Sequence, residues 1–321
     1  MPRETPRTDE DLSQPPIRRY AGPIVDCHTH VRTPEEARLL LAVAETFGVR
    51  VICGVVDLEG MGPLVEVLGD RFRPIVRVDH GLISRPERFA RESVGRILAA
   101  RNLGAVAAKF WYSPRFVAET GFSIDSPALA PVLEALAELG MAALVHIADP
   151  DTWFAEYYAD RARYGTKAEH FDRLERALDR HPDLKVLGAH FGGHPEDLAH
   201  LGRLLERHPN YAIDSSATKW IARELGRKPA ESRRFVVRWA ERILFGTDLV
   251  AFPEAVPEDY ASRYWAHRWL WEGEGPRPSP VPDPSAPWPE GARVHGLALP
   301  EEVLAKLYSA NARRFLGVEV A

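Results

Sequence analysis

The stretch Pro23-Ile24-Val25-Asp26-Cys27-His28-Thr29-His30 carries the reading of the whole chain. Its apolar run has the length of a strand, and side chains alternate along an extended backbone. His28 and His30 therefore point together while Cys27 and Thr29 point away. Two imidazoles on one face form a metal-chelating arrangement. Three later strand-like runs, 142–146, 184–190 and 242–248, also end in a potential ligand: His146, His190 and Asp248. Four strands would thus deliver four histidines and an aspartate to the same end of a sheet.

Outward from that stretch, apolar runs of strand length alternate with amphipathic stretches of helix length, the pattern of repeated βα units around a parallel sheet. The pattern predicts eight strands, at 23–28, 49–56, 74–79, 105–110, 141–147, 184–190, 211–215 and 242–248. Helices are expected over 34–47, 85–102, 127–139, 171–180, 195–207 and 232–240. Several begin with Pro, whose missing N–H costs nothing in a first turn, and Gly48, Gly104 and Gly140 stand where left-handed C-caps are needed. A length of 321 residues suits one closed barrel, for which about 250 is typical before insertions. The predicted fold class is therefore α/β, a TIM-type (β/α)8 barrel with long loops after strands five and eight. The ligands lie at the C-terminal ends of strands one, five, six and eight, the catalytic face of such barrels. The expected organisation is an extended or disordered N-terminal arm over 1–20 and a single barrel domain over 21–321.

Composition narrows the function classes. At 45% hydrophobic and 27% charged, the chain can bury a substantial core, and a net charge of −5 offers no broad basic field for nucleic acid or anionic lipid. The expected partner is a small-molecule substrate, with no nucleic acid and no membrane; a homodimer is the commonest assembly for such chains. Cys27 and Cys53, the two cysteines, both lie in apolar runs and read as buried small hydrophobes rather than a secreted disulfide framework. With no apolar segment of signal-peptide or membrane-spanning length, a cytoplasmic location is expected.

Two connections exceed a simple turn. The stretch 148–167 carries Trp153, Phe154, Tyr157, Tyr158 and Tyr164, and 250–299 carries Tyr264, Trp265, His267, Trp269 and Trp271 before the Pro-rich 276–289. Long loops on the ligand-bearing face are expected to wall or cover the substrate pocket, or else to pack a subunit interface.

With these segments, the chain resembles the amidohydrolase superfamily and, within it, the amidohydrolase-related (amidohydrolase 2) branch of metal-dependent hydrolases and decarboxylases. The matching pieces are Val25-Asp26-Cys27-His28-Thr29-His30, His146, Gly188-Ala189-His190-Phe191-Gly192-Gly193, Tyr211-Ala212-Ile213-Asp214-Ser215-Ser216, Ile243-Leu244-Phe245-Gly246-Thr247-Asp248 and the terminal 307–316. The resemblance implies that His28, His30, His146 and Asp248 ligate a single divalent ion, with Asp248 also accepting a proton from water. It implies that His190 polarises substrate or shuttles a proton. Imidazoles and a carboxylate suit Zn²⁺, with Mn²⁺, Fe²⁺ and Co²⁺ as alternatives. In binuclear members of the superfamily a lysine at the position of Lys109 is carboxylated and bridges two ions. The other reading of Lys109 is a cation for an anionic substrate group.

Further residues carry weaker expectations. Arg32 is either an anion contact or a partner of Glu35 or Glu36. Asp26 lies near His28 and is expected to orient a ligand. Asp57 and His80 read as loop residues, His194 as structural, and Ser215 and Ser216 lack the strand-to-helix elbow of a serine nucleophile. Asn311, in a terminal helix over 300–315, is expected to cap or to pack against the first strand. The first functional reading is a metal-dependent hydrolase in which activated water attacks an amide, ester or lactone. The rivals are a non-oxidative decarboxylase of a carboxylated aromatic or enoic acid and a metal-binding barrel without catalysis.

Overall fold

Runs of β-branched and small apolar residues form the strands of the computed structural model, which describes residues 10–320. They are β1 (Ile24–His30), β2 (Val49–Val56), β3 (Phe72–Arg77), β4 (Ala107–Trp111), β5 (Ala142–His146), β6 (Val186–Gly188), β7 (Tyr211–Asp214), β8 (Ile243–Leu244) and β9 (Leu249–Val250). All are parallel to their neighbours, in the order β8-β7-β6-β5-β4-β3-β2-β1-β9. Because β9 pairs with β1 (Thr29 opposite Leu249), the sheet curls onto itself as the TIM-type barrel that the alternation predicts.

The seam between the last strand and the first departs from expectation. The run 242–248 is not one strand: β8 pairs with β7, β9 pairs with β1, and residues 245–248 cross between them. Cys27 N donates to Phe245 O at 2.8 Å and Asp248 N to His28 O at 2.7 Å, so the crossing piece still closes the ring. Strand six is likewise shorter than expected. A Cβ on Gly188 or Gly192 would collide with Tyr211 Oη, and the chain leaves the sheet there into a left-handed turn, with φ of 59° at His190 and 54° at Phe191.

Alternation sorts the side chains into two layers. Val25, Cys27, Val51, Cys53, Ile75, Ala107, Leu144, Leu187 and Ala212 fill the barrel interior, and a larger cluster lies between the sheet and the helices. Cys27 and Cys53 are free and buried. Register between β1 and β2 slips after Asp26, and although Cys27 packs inward, the next residue, His28, still reaches across the barrel mouth.

The stretch 250–299, expected as a long loop, carries regular structure of its own. It forms a helix, Pro257–Glu272, buried along most of its surface, and then the antiparallel hairpin β10 (Glu274–Pro278) and β11 (Arg293–Leu297). Tyr264, Trp265, His267 and Trp271 are core residues. The stretch 148–167 holds two short helices, Asp151–Glu156 and Arg161–Tyr164, with Trp153 and Tyr157 exposed. The amide of Asn311 donates to Ala240 O and Ile243 O, each at 2.7 Å, and so clasps the entry to β8. Of the arm expected over 1–20, residues 1–9 lie outside the described residues, whereas Arg19 N and Tyr20 N donate to Glu272 Oε2 at 2.7 and 3.1 Å. Among the described residues no helix is long and apolar enough to cross a membrane.

Candidate metal centre

β1 ends at the C-terminal mouth of the barrel and presents both of its imidazoles there. His30 Nε2 lies 2.9 Å from Asp248 Oδ1, and His28 Nε2 lies 3.2 Å from the same oxygen. His28 Nδ1 donates to Asp214 Oδ2 at 2.7 Å, which commits its hydrogen to that side. Burial, with Lys109 alongside, keeps the His28 imidazole neutral by lowering its pKa. His28 Nε2 therefore carries an unshared pair, and it faces a carboxylate oxygen: acceptor against acceptor. Lys109 Nζ donates to the same nitrogen at 3.0 Å. A divalent cation fits this donor set, since imidazole oriented through its other nitrogen and a carboxylate are what such an ion takes.

Asp248 is placed by its backbone. It stands in the left-handed region, φ 59°, uncommon for a residue other than glycine. The turn before it is pinned: Asp26 accepts from Thr247 N (3.1 Å) and Thr247 Oγ1 (2.6 Å), and Tyr264 Oη donates to Asp26 from the buried helix at 2.9 Å. Asp26 thus orients the turn that carries Asp248, an expected ligand. Burial acts to raise the Asp248 carboxyl, but His190, His28 and His30 outweigh it and hold the group well below the usual carboxylate range. The side chain keeps 29% of its surface open.

His190 stands beside this group, its ring 5.4 Å from His28 and 4.9 Å from His146. Its Nδ1 is 2.8 Å from Ser216 Oγ, and burial pushes its pKa down to about 3. Asp214, at the end of β7, organises both sides: Oδ2 takes His28, while Oδ1 accepts from His190 N (2.8 Å), Ser216 N (2.9 Å) and Ser216 Oγ (2.6 Å). Burial would raise its carboxyl, yet these imidazoles and the Ser216 hydroxyl bring it down to about 2.

Donor atoms of His28, His30 and Asp248 lie within 4.8 Å of one another, as do those of His28, His190 and Asp214. His146 belongs to neither set. Its Nε2 donates to Asp149 Oδ1 at 3.0 Å, and Tyr158 Oη donates to Asp149 Oδ2 at 2.9 Å. Arg32 joins neither, its exposed guanidinium being paired at 3.5 Å with the buried Glu36. A third set, Asp151, His194 and Glu196, already encloses a cation: Lys167 Nζ sits 2.8 Å from Asp151 and 3.1 Å from Glu196. Asp149 escaped the sequence reading, and Asp214 and Ser216 were noted there without these roles, because an aspartate or serine at or just past a strand end looks like any turn residue. Beside the centre Trp111 is 49% exposed, its ring 6.1 Å from His146.

The family profile described as Amidohydrolase matches residues 25–318. Among solved structures, the chain is similar to 5-carboxyvanillate decarboxylase from Novosphingobium aromaticivorans, complexed with manganese and a nitrobenzoic acid (TM-score 0.57, 13% identity, 96% of this chain and 99% of that one). It is also similar to 2,6-dihydroxybenzoate decarboxylase from Rhizobium (0.55, 15%, 92% and 99%). A probable 2-pyrone-4,6-dicarboxylic acid hydrolase from Acinetobacter baumannii is similar too (0.50, 11%, 92% and 99%). Identities this low speak for the shared barrel alone. No curated protein matches the sequence. With a profile match across nine-tenths of its length, the chain belongs to the amidohydrolase family.

Proposed function

We propose that the protein is a metal-dependent hydrolase acting on an amide, ester or lactone of a small molecule. The observation that carries this reading is the meeting of His28 Nε2 and His30 Nε2 on one oxygen of Asp248, with Asp214 fixing which nitrogen of His28 is free. His28, His30 and Asp248 hold the ion, and His146 adds its Nδ1, since Asp149 occupies Nε2. Zn²⁺ is the first choice; manganese accompanies the carboxyvanillate decarboxylase. When bound, such an ion polarises a carbonyl and makes water acidic near neutral pH. Asp248, held ionised, accepts the proton of the attacking water, and His190 moves a proton to or from the substrate. Lys109, buried beside His28, meets an anionic substrate group.

A second reading, non-oxidative decarboxylation of an aromatic or enoic acid, is favoured by the exposed aromatic surface of Trp111, which suits a flat ring. Assay of zinc- and manganese-loaded protein against a panel of lactones and hydroxybenzoates separates the two. Ring opening without CO2 supports hydrolysis, and CO2 release supports the second reading. Turnover that survives Asp248→Ala undiminished would sink the role given to Asp248, and loaded protein that turns over none of the panel would favour a barrel that binds metal without catalysis.

A further inference from the structure

Ser216 shares its hydroxyl between two site residues. Asp214 Oδ1 already receives the backbone N–H groups of His190 and Ser216, at 2.8 and 2.9 Å, an arrangement that favours the carboxylate form. The 2.6 Å contact from Ser216 Oγ to the same oxygen is then O–H donating to carboxylate. A hydroxyl has one hydrogen, so its oxygen can only accept from His190 Nδ1 at 2.8 Å. Nδ1 must carry the ring hydrogen, and Nε2 is left with the unshared pair. No described residue donates to Nε2.

We propose that Ser216 is a positioning residue that fixes the tautomer of His190, so that His190 enters the reaction as a proton acceptor through Nε2. The proposal rests on the reading of His190 as the group that handles a proton, and it deepens that reading. Of the two roles open to His190, polarising a carbonyl by donation and shuttling a proton, it selects the second, because the resting ring has no hydrogen on the free nitrogen. A proton taken there leaves an imidazolium whose Nδ1–H still rests on Ser216 and, through it, on Asp214. The device differs from the usual carboxylate behind a catalytic histidine, since a hydroxyl stands between the two.

The test is nitrogen-15 NMR of the full-length, zinc-loaded protein labelled at histidine, near neutral pH, with His190→Asn identifying the signals. Two-bond couplings to the ring hydrogens distinguish Nδ1 from Nε2. The expected spectrum has a protonated Nδ1 and an unprotonated Nε2 at the same shift with and without zinc; an Nε2 shifted by zinc would make His190 a ligand rather than a proton acceptor and overturns the proposal. Ser216→Ala should move both nitrogens toward the averaged or Nε2–H pattern, and Ser216→Thr should restore the original. An Nε2–H or averaged wild-type ring overturns the proposal, and so does a Ser216→Ala spectrum identical to wild type. If Ser216→Ala does not fold, the wild-type and Ser216→Thr spectra decide. The spectrum needs no substrate, so a protein inert toward every lactone and hydroxybenzoate sinks the functional reading while the tautomer is judged separately.

Discussion

Two buried clusters of charge sit at opposite ends of the barrel and are built differently. At the N-terminal end, Glu272 is buried among donors: Arg268 Nη2 at 3.1 Å, Tyr308 Oη at 2.8 Å, and the backbone N–H groups of Arg19 and Tyr20. At the C-terminal end, His28 Nε2 and Asp248 Oδ1 face each other as acceptors, and Asp248 and His190 both stand in left-handed backbone. A satisfied cluster holds structure together, whereas one that gathers acceptors is shaped for something it must still receive.

The sharpest way to break this contrast is to remove one carboxylate from each end. Asp248→Ala should lower turnover by about 10²–10³-fold, the order for loss of one transition-state contact, while denaturant unfolding shows a smaller loss of stability than Glu272→Ala. Glu272→Ala should do the reverse: unfolding free energy falls by about 3–5 kcal/mol because Arg268 is left buried and unpaired, and turnover per folded molecule is kept. Equal stability losses in both variants would erase the distinction. Next in size, Asp214→Asn should weaken metal binding about 10–100-fold in a chelator competition, since His28 loses the carboxylate that orients it.

Acid separates structural histidines from the centre. His267, buried in the helix Pro257–Glu272 with Nε2 3.1 Å from Thr218 Oγ1, has its pKa pushed down to about 3 by burial. Below its ordinary 6.5 the unfolded chain takes up a proton that the folded chain refuses until about 3. The unfolded state then binds more protons, so stability is lost as pH falls through that window, by up to about 1.4 kcal/mol per pH unit for this residue. His267→Gln should flatten the measured slope of unfolding free energy against pH by that amount. The smallest effect belongs to the mouth. Trp111→Ala should leave stability within about 0.5 kcal/mol and raise KM for an aromatic substrate about 2–10-fold, as expected for one lost aromatic contact.

Much of this was legible in the chain. The run 49–56 coincides with β2, and the His28, His30 and Asp248 group assembles because strand ends of a parallel barrel share one face. What stayed hidden has physical causes. The helix Pro257–Glu272 is covered on nearly every side, so it lacks the polar stripe that marks a surface helix and read as loop. The final strand read as continuous because 242–248 is apolar enough to pair throughout. The break comes instead from tertiary bonds of Thr247 to Asp26, which no local pattern announces. Asp214 and Ser216 gain their meaning only from residues far along the chain.

The divided last strand has a mechanical consequence. The crossing between β8 and β9 leads straight into Asp248, whose N–H donates to His28 O, so the residue that carries the shared oxygen is already stitched to β1 by backbone. An ion held by His28, His30 and Asp248 would join β1 and the closing segment a second time, through side chains. Access to the reacting pocket and integrity of the whole cylinder would then be governed by the same latch.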